Sequence, residues 1–356
     1  MLKDIQALRC IAICFVIFLH LPVIIPNNHF YNELRSFTNT DSGVELFFVI
    51  AGFFLSLTIE KSAKNLNSTA EKINFLFEIY IKKIKRLSPP VYFWVAVPLA
   101  FSILTKRADI WLSYDLMIEK FFSSLMWVRN FEEIGTEGNF GYMWALSLEM
   151  QFFIIYPMLY SLLGRKNTIL LSIFICVSMM FYRLGGGASW MFRFDPMLYG
   201  TLLYYVTRSF DFNKMALKHL NVNPVSKFII ALILILSLAV VPKALIHLWN
   251  FRFSCASIIS SICVLLAVTD MGFFTTLPKF INQVISYVGS RSFSFFCCHI
   301  PVWFMVFQFT SDHDIGVVSR VILQISAVLI ASELTYRMLE RTNKKQLKNS
   351  FSLKAQ

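Results

Sequence analysis

Charge is what this sequence has least of: Asp, Glu, Lys and Arg make up 15% of its 356 residues, against 56% hydrophobic residues and 37 Phe. That scarcity excludes an ordinary soluble globule, because a chain of this size cannot hide so much apolar surface in a core of its own. With a mean hydropathy of +0.61, the solvent implied is lipid. The sequence shows no fixed-period repeat or low-complexity tract, and no appended soluble domain is expected. Apolar runs of about 18 to 20 residues, each enough to span a bilayer, recur throughout; we expect one membrane domain over 1–341 and a short basic cytoplasmic tail over 342–356. The seven cysteines (Cys10, Cys14, Cys176, Cys255, Cys263, Cys297 and Cys298) lie inside apolar runs without metal-type spacing. They read as small core residues, and no metal site is expected. The first apolar run has a thin basic lead, no small-residue cleavage site, and His20 within it, so it is expected to stay attached as the first helix.

The charges that are present lean one way, 33 basic against 21 acidic, a net of +12. Lys61, Lys64, Lys72, Lys82, Lys83, Lys85 and Arg86 fall between the second and third apolar runs, and Arg337, Arg341, Lys344, Lys345, Lys348 and Lys354 fall in or near the tail. Such placement follows the positive-inside rule and reports topology, not nucleic-acid binding. Apolar runs between charges predict helices near 5–25, 43–59, 88–104, 143–163, 168–183, 188–206, 227–246, 254–271, 285–309 and 315–338. The fold class expected is an all-α integral membrane bundle of about ten transmembrane helices with both termini cytoplasmic. Segment 105–142 has no clear span and is a candidate lid on the outer face, its apolar patch 121–128 interfacial or re-entrant.

Titratable side chains inside spans are costly, so each is a functional candidate. Arg9 and His20 share the first helix; eleven residues apart, they lie about 16 Å apart along it and about 20° off one stripe. With the N-terminus inside, Arg9 sits near the cytoplasmic surface and His20 in the outer half. By the same counting Glu149 and His299 reach the outer half on two other helices, so three titratable groups are expected to converge in depth. Arg193 and Asp195 stand near the outer mouth of the sixth helix, where the plain alternative is an interfacial ion pair. Glu333, beside Arg337, reads as a paired or snorkelling charge.

These residues resemble a known family. Asp4-Ile5-Gln6-Ala7-Leu8-Arg9 followed by His20 is similar to the basic residue, ten-residue gap and His that open the membrane-bound acyltransferase 3 family. Further matches come in the family's order: Gly43 to Phe53 (GVELFFVIAGF), Lys83 to Pro89 (KIKRLSP), Trp144 to Phe152 (WALSLEMQF) and Ser292 to Pro301 (SFSFFCCHIP). Departures are mild: Glu45 stands where Asp is usual, Ala51 and Ala145 where Ser is usual, and Met150 where a second acid is common. The resemblance implies an O-acyltransferase of the bacterial cytoplasmic membrane, with an acyl-CoA donor on the cytoplasmic side and lipopolysaccharide O-antigen, capsule or another exported glycan as acceptor. Some members add a C-terminal esterase-like domain, which is not expected here.

Acyl transfer from a thioester to a hydroxyl needs a base and a well-placed electrophile. His20 is the expected base, or itself the acyl carrier, with Glu149 orienting its ring. Arg9, Lys83 and Arg86 are candidates for the phosphates of acetyl-CoA, a co-substrate and not a resident cofactor. Glu45, Tyr142, Trp144, Gln151, Arg193, Asp195 and His299 are candidates for lining the site or holding a lipid-linked or polymeric glycan. Tyr142, Trp144 and Trp190 serve equally well as interfacial aromatics. Two other classes stay open: a transporter or flippase of a lipid-linked glycan, and a structural subunit of a glycan-assembly machine.

Overall fold

A computed structural model of the chain describes residues 2–25, 28–63, 66, 68–132, 138–183, 191–209, 223–269, 271–313 and 315–341. Among these residues every regular element is helical: α1 Lys3–Leu19, α2 His29–Phe37, α3 Ser42–Ser62, α4 Thr69–Thr105, α5 Tyr114–Leu125, α6 Met143–Phe181, α7 Asp195–Ser209, α8 Pro224–Ala244, α9 Trp249–Val268, α10 Lys279–Thr310 and α11 Val317–Thr335. A π-helical turn, Tyr336–Arg341, continues α11, and short 3-10 turns lie between helices. Among the described residues seven helices are long and apolar enough to cross a membrane: α3, α4, α6, α8, α9, α10, and α11 with its π turn. An all-helical, multi-pass chain follows from the solvent, since in hydrocarbon each backbone N–H and C=O must find its partner within its own segment.

Each expected apolar stretch coincides with a helix, and the boundaries differ for physical reasons. α1 stops at Leu19, so His20 caps the helix and does not sit inside it. Pro22, which has no N–H to continue the ladder, turns the chain into the 3-10 turn Leu21–Val23. α4 begins at Thr69, well before the expected 88, because Ser68 and Glu71 form a reciprocal capping box there. At 37 residues it is about 55 Å long, so its basic first half runs on beyond any hydrocarbon layer. Hydropathy registers only the second half. α6 contains both expected spans 143–163 and 168–183 as two arms broken at Gly164, whose φ of 74° and ψ of 168° suit only glycine. The expected helix 188–206 is described from Asp195; Lys64, Trp190 and the tail 342–356 lie outside the described residues.

Burial separates the helices into a centre and a rim. The apolar windows of α3 and α10 are 72% and 67% buried, whereas those of α8 and α11 are 17% buried and turn Ile233, Leu236, Ile322 and Ile330 outward. The centre is therefore where side chains from several helices can meet. α1 packs on α3 and α10, and α3 packs on α7. α1 approaches α10 so closely at Gly289 that a Cβ there would strike the backbone oxygen of Gln6. Cys176, Cys263, Cys297 and Cys298 are buried free thiols, while Cys14 is exposed. Glu333 is paired, accepting from Arg291 at 2.7 Å, Tyr287 at 2.6 Å and Arg337 at 2.5 Å.

Candidate functional site

Two cavities lie where α1, α3, α6 and α10 meet. The larger, about 280 Å³, is lined by Arg9, Phe54, Thr58, Lys83, Arg86, Glu149, Phe153 and Ser292 among others. The smaller, about 50 Å³, is lined by Val16, Leu19, His20, Asp41, Tyr142, Trp144 and Arg193. Val44, Ala145 and Phe296 line both. The order is the same on every helix. α1 passes from Arg9 to His20, α10 from Ser292 through Phe296, α3 from Asp41 through Val44 to Thr58, and α6 from Trp144 through Ala145 to Glu149 and Phe153.

The larger cavity is cationic. Arg9, buried, donates from Nε to the Ser292 hydroxyl at 3.0 Å, a neutral partner. Lys83 places Nζ 3.7 Å from the centre of the Phe153 ring, a cation–π contact that leaves the charge in place. The buried Nε of Arg86 has no hydrogen-bond partner. Glu149 is the one carboxylate among the lining residues against these three cations. Such a wall suits an anionic ligand.

His20, which lines the smaller cavity, is backed by a second histidine, His299. Nδ1 of His299 lies 2.9 Å from the carbonyl oxygen of Phe296 and 3.2 Å from that of Phe295. Two acceptors can be met only by an N–H, so neutral His299 carries its proton on Nδ1 and offers Nε2 as an acceptor. Nδ1 of His20 lies 2.9 Å from the Val16 carbonyl oxygen and 3.3 Å from Nε2 of His299. It too faces two acceptors and must be the protonated nitrogen. The lone pair of neutral His20 is left on Nε2. Aromatic neighbours hold the pair: Tyr142 donates its hydroxyl to the Cys297 carbonyl at 2.9 Å and sets its ring edge-on to His299, 5.3 Å away.

The structure therefore brings Arg9, Lys83, Arg86 and Glu149 to one cavity, and His20, Tyr142, Trp144 and Arg193 to the other, with His299 against His20. The expected pairing of Glu149 with His20 is corrected. Glu149 lies five residues beyond Trp144 on α6, about 7.5 Å deeper, on the far side of Ala145. Three other candidates line neither cavity. Glu45 is buried in an ion pair with Arg193, whose guanidinium also covers Phe253 at 4.1 Å. Asp195 takes a bidentate grip from Arg183, at 3.0 and 2.5 Å, so the plain alternative of an Arg193–Asp195 pair is replaced by two separate pairs. Gln151 is spent on structure: it donates to the Trp127 carbonyl at 2.7 Å and exchanges amide hydrogen bonds with Asn130, pinning the segment after α5 to α6. Lys120 and Arg129 both reach Glu132 within that segment.

Asp41, Ser292 and Phe296 were not singled out by sequence reasoning. Asp41 precedes the Gly43 motif by two residues, and counting depth back along α3 from Val44 would have placed it level with His20. Ser292 and Phe296 lie within the SFSFFCCHIP motif, seven and three residues before His299, and helical spacing puts them on its face.

Comparison with known proteins adds to this geometry. A family model described as an acyltransferase domain (acyltransferase 3) matches residues 2–336. The O-acetyltransferase OatA of Staphylococcus aureus strain NCTC 8325 is 24% identical over 330 residues, covering 85% of this chain and 52% of OatA. A second Staphylococcus aureus protein, SACOL0978 of strain COL, provisionally named an O-acetyltransferase, is 26% identical over 368 residues, 97% of this chain and 58% of that protein. The chain spans about half the length of the curated relatives it matches. No solved structure matches it.

Proposed function

Given that this chain belongs to the acyltransferase 3 family, we propose that it is a membrane-bound O-acyltransferase moving an acetyl group from cytoplasmic acetyl-CoA to a sugar hydroxyl of an exported surface glycan. The observation that carries this reading is the pair of adjoining cavities: three cations border one, a histidine with its lone pair on Nε2 borders the other, and three residues are shared between them. Arg9, Lys83 and Arg86 receive the anionic donor, whose acyl-pantetheine arm enters the larger cavity while its nucleotide stays at the mouth. Glu149 tempers the charge of that wall; it acts on the donor side and not as the partner of His20.

At His20, Nε2 takes the proton of the acceptor hydroxyl as the hydroxyl oxygen bonds to the thioester carbon. The C–S bond then breaks, and the proton returns from the imidazolium to the leaving thiolate. If His20 carries the acyl group instead, the same Nε2 is the attacking atom. His299 is a positioning residue. By accepting from Nδ1–H it keeps His20 in the reactive tautomer. Trp144 and Arg193 line the acceptor's approach.

The topology that goes with this reading counts ten spans: the seven long apolar helices, with α6 taken as two arms, plus α1 and α7. An even number puts both termini on one side, and the basic stretch at the start of α4 makes that side cytoplasmic; the membrane is the bacterial cytoplasmic membrane. The test is mass spectrometry of surface polysaccharide from cells carrying the intact protein, its His20→Ala variant at matched membrane levels, or neither. A mass increment of one acetyl per repeat, present only with the intact protein, is the expected result. An increment that survives His20→Ala would remove His20 from the chemistry, and no increment in any strain would remove the acetyl-to-glycan assignment.

A further inference from the structure

The wall between the two cavities is thin and specific. Phe296 is 7% exposed, and its ring stands between Phe47 on the side of the larger cavity, at 6.3 Å, and Tyr142 and His299 on the side of the smaller, each at 5.8 Å. Tyr142 is tied down through its hydroxyl to Cys297, so Phe296 has no easy direction in which to swing. Val44 and Ala145 complete the wall, and Ala145 is its smallest member. Beyond it, the space beside His20 is about 50 Å³. This space is less than a fifth of the larger one, and the rings of Tyr142, Trp144 and Phe296 bound it, so a short acyl group enters more readily than a longer one.

Resting on the donor reading above, we infer that Phe296 and Ala145 form an acyl-length gate that passes acetyl and rejects longer acyl groups on their way from the Arg9 cavity to His20. The larger cavity, at about 280 Å³, does not discriminate; a longer acyl-CoA binds there and stalls. Discrimination therefore falls on transfer and not on donor binding. A packed pocket rejects one extra methylene by roughly 10- to 200-fold.

The experiment uses membrane vesicles that expose the cytoplasmic face and hold the full-length protein and its endogenous glycan. They are supplied in turn with acetyl-, propionyl- and butyryl-CoA labelled in the acyl group, and label entering the glycan and thiol released are both measured. With the intact protein, propionyl transfer is expected to be at least about tenfold slower than acetyl and butyryl transfer slower again, while both longer donors compete with acetyl-CoA. In Phe296→Ala and Ala145→Gly the propionyl-to-acetyl ratio rises by about tenfold, whatever the absolute rate. In Ala145→Leu even acetyl transfer is lost while competition by CoA persists, which shows that the donor cavity is still folded. Equal transfer of all three acyl groups by the intact protein overturns the gate, as does an unchanged ratio in both enlarging variants. No label from any donor overturns the acyl-CoA reading itself, and the gate with it.

Discussion

The Arg9 and His20 cavities share Val44, Ala145 and Phe296, yet one is lined by three cations and one carboxylate within about 280 Å³ and the other by His20, aromatic rings and one charge of each sign, Asp41 and Arg193, within about 50 Å³. On the function proposed above, the difference teaches that the bundle separates donor recognition from proton transfer. A net cationic wall of three residues suits an anion, whereas beside His20 a carboxylate stands with the single cation, so an imidazolium forming there would meet less opposing charge than beside the Arg9 cluster.

Breaking the small cavity should have the largest effect. His20→Ala removes the base, and glycan acetylation in vesicles is expected to fall by roughly 10²- to 10⁴-fold with KM for acetyl-CoA nearly unchanged. His299→Ala removes one of the two acceptors that face Nδ1 of His20, the Val16 carbonyl being the other; a loss of about 10-fold in kcat is expected, the lower end of what removing a partner that orients a metal-bound histidine costs. The pH–rate profile should shift as well, and His299→Gln should restore part of the rate. An unaltered profile in His299→Ala would mean that the contact at 3.3 Å has no part in setting the tautomer.

Changes to the large cavity should be smaller and of another kind. Arg9→Ala is expected to raise KM for acetyl-CoA by about tenfold, the worth of one charge-assisted hydrogen bond, and to leave kcat within a few-fold. Glu149→Gln sharpens the comparison most. From its place among Arg9, Lys83 and Arg86 it should change KM and leave the pH profile of kcat where it was, whereas a carboxylate that oriented His20 would move that profile. The smallest kinetic effect, with a sizeable structural one, is expected from Gly289→Ala. Its Cβ would meet the Gln6 backbone, pushing α1 from α10 at a cost of about 1–3 kcal/mol, read as a lower Tm in detergent.

Much of the fold was legible in advance because apolar runs report the solvent directly. Over the described residues each expected stretch overlaps a helix, and even the break at Gly164 was foreshadowed by the charged interruption Arg165 and Lys166. The first half of α4 was not legible, since its helicity comes from a capping box and helix-forming polar residues that hydropathy does not weigh. For the site, depth counting along α1 and α10 brought His20 and His299 to one level, because rise per residue is a constant of the helix. The same counting misled for Glu149. It lies in the half of its helix that was expected, yet the partition at Phe296 and Ala145 falls between it and His20.

What the sequence by itself determined is which segments are helical and apolar, roughly how deep each ionisable residue sits, and where basic charge accumulates; these follow from composition and period, which are local properties. Only the tertiary structure decided who meets whom. Arg193 chose Glu45, Asp195 chose Arg183, and Arg9 found Ser292, 283 residues away. Partner choice depends on the rotation and close approach of whole helices, as at Gly289. Those are set by packing summed over many side chains, which no single stretch of sequence contains.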